Sequence, residues 1–147
     1  MTYIFIDFEG YKYWIEVNNE GTALRQIIRD EKGMLSISCV DPCLADQFVD
    51  VENDCDQITE QEFEKVWHNV TKELQVVWKT EKEKYPIGQK VAGFIKYFYP
   101  QGTIIDLPTL QGCANTDNYH GKSLFPNCKI SGIVTGYDEK NMWVLID

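Results

Sequence analysis

Residues 87–117 read IGQKVAGFIKYFYPQGTIIDLPTLQGCANTD, and residues 126–147 read PNCKISGIVTGYDEKNMWVLID. Gly93, Gly102 and Gly112 sit nine and ten residues apart, each beside a β-branched or aromatic run. Glycine takes such places where strands bend sharply and another backbone comes close. The spacing predicts a small, coiled, five-stranded β-barrel over residues 85–147. A barrel of this kind is a binding module more often than a catalytic one.

Ahead of the barrel, apolar and polar residues alternate over Tyr3 to Phe8 and Tyr11 to Val17. The turns NNEG (18–21) and DEKG (30–33) then lead into Ala23 to Ile28 and Met34 to Cys39. This pattern predicts three or four antiparallel strands. Val40 to Asp56 is acidic, contains Pro42 and is expected to be a long loop. TEQE at 59–62 is a capping box with Thr59 as N-cap, followed by Phe63, Val66, Trp67, Val70, Leu74, Val77 and Trp78 at helical spacing. One amphipathic helix is therefore expected over about residues 59–80, covering the sheet. TEKEKYP (80–86) marks the junction, giving an acidic α+β module at 1–84 and a barrel at 85–147.

Charge is divided unevenly. Residues 1–84 hold nine Lys or Arg and 18 Asp or Glu, whereas residues 85–147 hold five of each. No base occurs between Gly33 and Glu64, where nine acids stand. Affinity for nucleic acid rests on Lys and Arg neutralising phosphates, so this module repels a polyanion and suits a basic protein. Asp50, Glu52, Asp54 and Asp56 are the candidate residues for that contact.

Of the five cysteines, Cys39, Cys43, Cys55, Cys113 and Cys128, the first three have no zinc-ribbon spacing and no histidine nearby. An odd count suits reduced thiols, and Cys113 and Cys128 are expected in the barrel core. No apolar run approaches the ~20 residues a membrane helix needs. MTYIFIDFEG has no basic stretch before its apolar residues and is not read as a secretion signal, so a cytoplasmic protein is expected. Only His68 and His120 offer imidazole bases, and no phosphate loop, dinucleotide fingerprint, nucleophile elbow or metal helix occurs. The chain is read as non-catalytic, with no cofactor and no metal.

The C-terminal spacing resembles the ribosomal-protein S-one type of OB-fold RNA-binding domain. The matching positions are Gly88 and Val91 at the start; Gly93, Ile95 and Gly102 through the first strand; and Ile105, Asp106 and Leu107 in the second. Gly112 opens the third, and Lys129, Ile130, Gly132, Ile133, Val134, Tyr137 and Asp138 match the penultimate strand and turn. The resemblance implies weak binding of single-stranded RNA on the face of the second and third strands. That face would gather Lys96, Phe98, Tyr99, Gln101, Asn115, Tyr119, His120 and Lys122. The chain departs from the family where its ligand-facing aromatic and histidine positions hold Gln101, Ile104 and Asn115. The first half, with WIEV, ALRQIIRD and ITEQEFEKVW, is similar to small bacterial α+β modules whose relatives include immunity proteins. That likeness implies the second ligand class, a basic protein such as a toxin.

Overall fold

The alternation of the first residues becomes a meander. In the computed structural model, which describes residues 1–44, 56–119 and 124–147, β1 (Thr2–Phe8), β2 (Tyr11–Val17), β3 (Ala23–Arg29) and β4 (Leu35–Ile37) pair antiparallel in sequence. Glu9 and Gly10, at φ 50° and 86°, form the two-residue β1–β2 loop, and two such positive φ values suit the strand twist there. Asn18 and Asp30 close the next two turns with their side-chain oxygens. Asn18 accepts from the N–H groups of Glu20 and Thr22, and Asp30 from those of Lys32 and Met34.

A fifth strand, β5 (Asp56–Ile58), adds to the outer edge of β1 in the order β4-β3-β2-β1-β5. It was not expected and starts at the last residue of the long loop expected over Val40 to Asp56, of which residues 45–55 lie outside the described residues. Three residues, DQI, are too short to show an alternation in the sequence.

The helix begins as its capping box dictates. Glu62 N–H donates to the Thr59 hydroxyl and Thr59 N–H donates to the Glu62 carboxylate, opening α1 (Glu60–Val70). α1 lies against β1 and β2 and buries Phe63 and Trp67, each contributing about 1.5–3 kcal/mol. The single helix expected over 59–80 does not form, because the backbone leaves helical geometry at the buried Thr71. The Thr71 hydroxyl and N–H both donate to the Trp67 carbonyl, at 2.7 and 3.0 Å. A separate α2 (Lys72–Glu81) follows.

Between sheet and α1 lies a buried polar row in register. Tyr3 on β1 pairs with Glu16 on β2, which pairs with Arg25 on β3. Arg25 donates to Glu16 through Nε at 2.9 Å and Nη2 at 2.7 Å, and it also binds Glu64 of α1. Its guanidinium lies 4.8 Å from the Phe63 ring centroid and 4.9 Å from that of Trp67. Burial opposes the Arg25 charge, but the bonds to Glu16 and Glu64 outweigh it and raise its pKa. Burial and the neighbouring Glu16 push the Tyr3 phenol up to about 12.

The chain divides into two compact units, Met1–Lys72 and Glu73–Asp147. In the second, α2 is held by Trp78, which is buried, meets Tyr137 edge-on at 6.0 Å and donates its indole N–H to Glu139. Val77, expected on the covered face, is 48% exposed.

A closed barrel follows, formed by β6 (Lys90–Tyr99), β7 (Gly102–Asp106), β8 (Gln111–Ala114), β9 (Lys129–Asp138) and β10 (Trp143–Ile146). The strand order is β10-β8-β7-β6-β9, with β8 and β10 parallel and every other pair antiparallel. Gly102 opens β7 instead of lying within the first barrel strand. A Cβ on Gly93 would come within 2.6 Å of the Asp106 carbonyl oxygen, so β6 and β7 approach there as only glycine allows. Cys113 is buried in β8, while Cys128 is half-buried in the turn before β9. Among the described residues, no helix is long and apolar enough to cross a membrane.

Candidate nucleic-acid interface

β6 exposes every second side chain: Phe94, Lys96 and Phe98 face solvent, while Val91, Gly93, Ile95 and Tyr99 are buried. Period-two alternation requires this from Lys90 to Ile95; beyond the bulge at Lys96 the pairing shifts by one residue, so that Phe98, opposite Thr103, is exposed on the other face of the strand from Phe94, opposite Asp106. The register extends the exposed face onto β9, where Lys90 lies opposite Ile133, Ala92 opposite Ser131 and Phe94 opposite Lys129. Phe94 is 53% exposed and Ile133 49%. Lys96 is the extra residue of a bulge between Ile95 and Tyr97, and its ammonium lies 5.7 Å from the Tyr97 ring centroid.

The turn before β9 is bonded to this edge. Ile95 N–H donates to the Cys128 carbonyl at 2.8 Å, and Asn127 N–H donates to the Ile95 carbonyl at 2.7 Å. That turn presents Phe125, which is exposed. On the other side of Phe94 stands its β7 register partner Asp106, an exposed acid. A groove of about 360 Å³ runs here, lined by Phe94, Asp106, Leu107, Pro108 and Lys129 among others. The surface thus alternates three lysines with exposed aromatic and aliphatic side chains. Such a surface can lay rings against planar ligands and cations against anions.

The face expected to bind is closed. Gly102 to Ile105 on β7 and Gly112 to Ala114 on β8 are buried at consecutive positions, so both sides of these strands are covered. Tyr99 is packed against Tyr97 at 4.7 Å and Trp143 at 6.0 Å. Tyr119 is buried at the end of the 3-10 turn Thr116–Tyr119 and donates its hydroxyl to the Ser131 carbonyl at 3.1 Å. Burial, with Asp147 adding to it, raises the Tyr119 pKa. Neither ring is available for base stacking, which corrects the expectation for both.

Of the other expected residues, Lys96 is exposed at the β6 bulge, Phe98 is exposed beyond it and Gln101 is half-buried in the β6–β7 turn. Asn115 is exposed after β8, where its side chain accepts from the Asp117 N–H at 3.1 Å. His120 and Lys122 lie outside the described residues, as do Asp50, Glu52, Asp54 and Cys55. Asp56 is exposed at the first position of β5. Sequence reasoning missed Phe94, Lys90 and Lys129. Lys90 and Phe94 share a face by period-two spacing, but Lys129 joins them only through the β6–β9 register.

Burial pushes the thiols of Cys39, Cys43 and Cys113 up to about 12, which leaves them protonated and unreactive at neutral pH. Among the described residues, no three His, Cys, Asp or Glu side chains are grouped to hold a metal ion. No protein-family model matches the chain, and no curated protein matches it at a significant level.

Proposed function

We propose that the protein is a non-catalytic binder of short single-stranded nucleic acid, held on the β6–β9 face of an OB-like barrel. The carrying observation is the cross-strand placement of exposed Phe94 opposite Lys129, with Lys90 on the same face and exposed Lys96 at the bulge beside it. Base–aromatic stacking contributes about 1–3 kcal/mol per base and tolerates any base, while the lysines neutralise phosphates. The closed five-stranded barrel, in which the last strand returns beside the third, supports the OB-like reading. In this reading the ligand lies on the first and fourth barrel strands instead of the second and third, whose surface is buried.

Fluorescence anisotropy of labelled RNA and DNA hexamers with the full chain at low salt tests the proposal. Saturable binding is expected, weakened by Phe94→Ser. No binding at high micromolar protein, or equal binding by the variant, removes it.

A further inference from the structure

The first unit is acidic, yet its cations converge. Residues 1–72 contain fifteen Asp or Glu and six Lys or Arg. Arg25 is taken up by Glu16 and Glu64 inside the core. Of the five bases left, Arg29, Lys65 and Lys72 all line one cleft of about 600 Å³ within this unit. Its other walls include Trp14, Val66, Val70, His68 and Glu62. Among the described residues, none of these three cations is in an ion pair.

The local structure explains the convergence. Lys65, Val66, Asn69, Val70 and Lys72 recur at helical spacing along the end of α1 and just beyond it. Trp14 comes from the middle of β2 and Arg29 from the end of β3, with the Arg29 guanidinium 5.8 Å from the Trp14 ring centroid. Glu62, the one acid in the lining among the described residues, is bonded to the Thr59 N–H in the capping box. Among the described residues, the cleft therefore joins an apolar aromatic wall to three cations outside any ion pair, against one committed carboxylate. Like charges are held together here inside a unit whose acids offer ample partners, an arrangement that favours an anion between them.

We propose that this cleft binds a nucleoside monophosphate-type ligand, a planar ring bearing one phosphate. The phosphate, carrying about −1.5 to −2 charges at neutral pH, matches the three cations less the single acid. Arg29 supplies the planar fork suited to phosphate oxygens, with Lys65 and Lys72 as point charges beside it. Trp14, Val66 and Val70 take the ring. The volume falls within the range of about 300–1,000 Å³ usual for small-ligand clefts.

Titration calorimetry of the full chain with adenosine monophosphate, adenosine and inorganic phosphate tests this, beside the indole N–H resonances of the four tryptophans, Trp14 being assigned by Trp14→Phe. The monophosphate should bind at least about tenfold more tightly than either fragment and shift the Trp14 resonance. Lys65→Gln/Lys72→Gln should weaken it by about tenfold or more at unchanged melting temperature. Phe94→Ser/Lys129→Gln, which removes the barrel surface, should leave this affinity unaltered, so the two sites fail independently. The proposal is overturned by absence of saturable binding, by phosphate alone binding as tightly, by an unaffected Lys65/Lys72 variant, or by loss of binding in the barrel variant.

Discussion

Arg25 and Glu16 face each other across β3 and β2 as register partners and meet side-on, through bonds of 2.9 and 2.7 Å, with both side chains almost wholly withdrawn from water. The bidentate fork, the second carboxylate of Glu64 and the two α1 rings together replace the hydration both ions lose. A pair in this condition fixes how helix and sheet meet.

Arg25→Met should accordingly leave Glu16 as an uncompensated buried charge and cost about 3–5 kcal/mol, since breaking one partner of a buried pair is far worse than replacing both. Glu16→Leu/Arg25→Met should recover much of that loss. Urea denaturation of the full chain, followed by tryptophan fluorescence, measures both variants. A double variant no more stable than the single one defeats the argument.

Glu139 gives an acid-side prediction. The Lys82 ammonium and then the Trp78 indole N–H, both bonded to it, hold its carboxyl below the usual carboxylate range. A depressed folded pKa contributes stability that is present above the unfolded value of 4.5 and lost as pH falls through the folded one. Glu139→Gln should therefore narrow the gap in melting temperature between neutral and strongly acidic solution. Equal acid sensitivity in variant and parent would show that the contact does not titrate with folding.

Gly93→Ala tests barrel closure. The added Cβ would meet the Asp106 carbonyl oxygen at 2.6 Å, a backbone atom that cannot swing aside. Overpacking of this kind costs about 1–3 kcal/mol. Gly33→Ala is no steric match for it, because nothing lies within 4 Å there and its strain comes from a φ of 83° alone. Thermal unfolding followed by near-ultraviolet circular dichroism should place Gly93→Ala well below the parent. An unchanged transition would mean that β6 and β7 need no glycine to approach.

How far the sequence was legible follows from the range of the interactions. Alternation and turn residues placed β1, β2 and β3 nearly to the residue, and Thr59 with Glu62 placed the start of α1, because those signals act within a few residues. The glycine spacing foretold the closed barrel. The break at Thr71 escaped the apolar periodicity, which continues through it to Trp78; a hydroxyl bonding back to Trp67 leaves no trace in a hydrophobic pattern. The candidate site was half legible: Lys96 and Phe98 are exposed as expected, but the bulge that turns Phe98 to the other face from Phe94 left no sign in the sequence, and burial of Tyr99 and Tyr119 depends on Trp143 and Ser131, distant in the chain. The Arg25 row was unreadable for the same reason, since three strands and a helix must assemble before its partners meet.

The nucleic-acid reading makes its sharpest demand on salt. Each phosphate neutralised on a single strand contributes a slope of about −0.7 in log affinity against log salt, so Lys90, Lys96 and Lys129 together imply about −2. Lys96→Gln/Lys129→Gln should reduce that to about −0.7, one lysine remaining. Phe94→Ser should lower affinity while keeping the slope, because stacking releases no counterions. Asp106, register partner of Phe94 and exposed beside the groove, opposes the strand by charge, so Asp106→Asn should tighten binding, most at low salt. Anisotropy titrations over a salt series separate these effects. A slope indifferent to the lysines, together with an Asp106→Asn variant that binds no better, would move any nucleic-acid contact off the β6–β9 face.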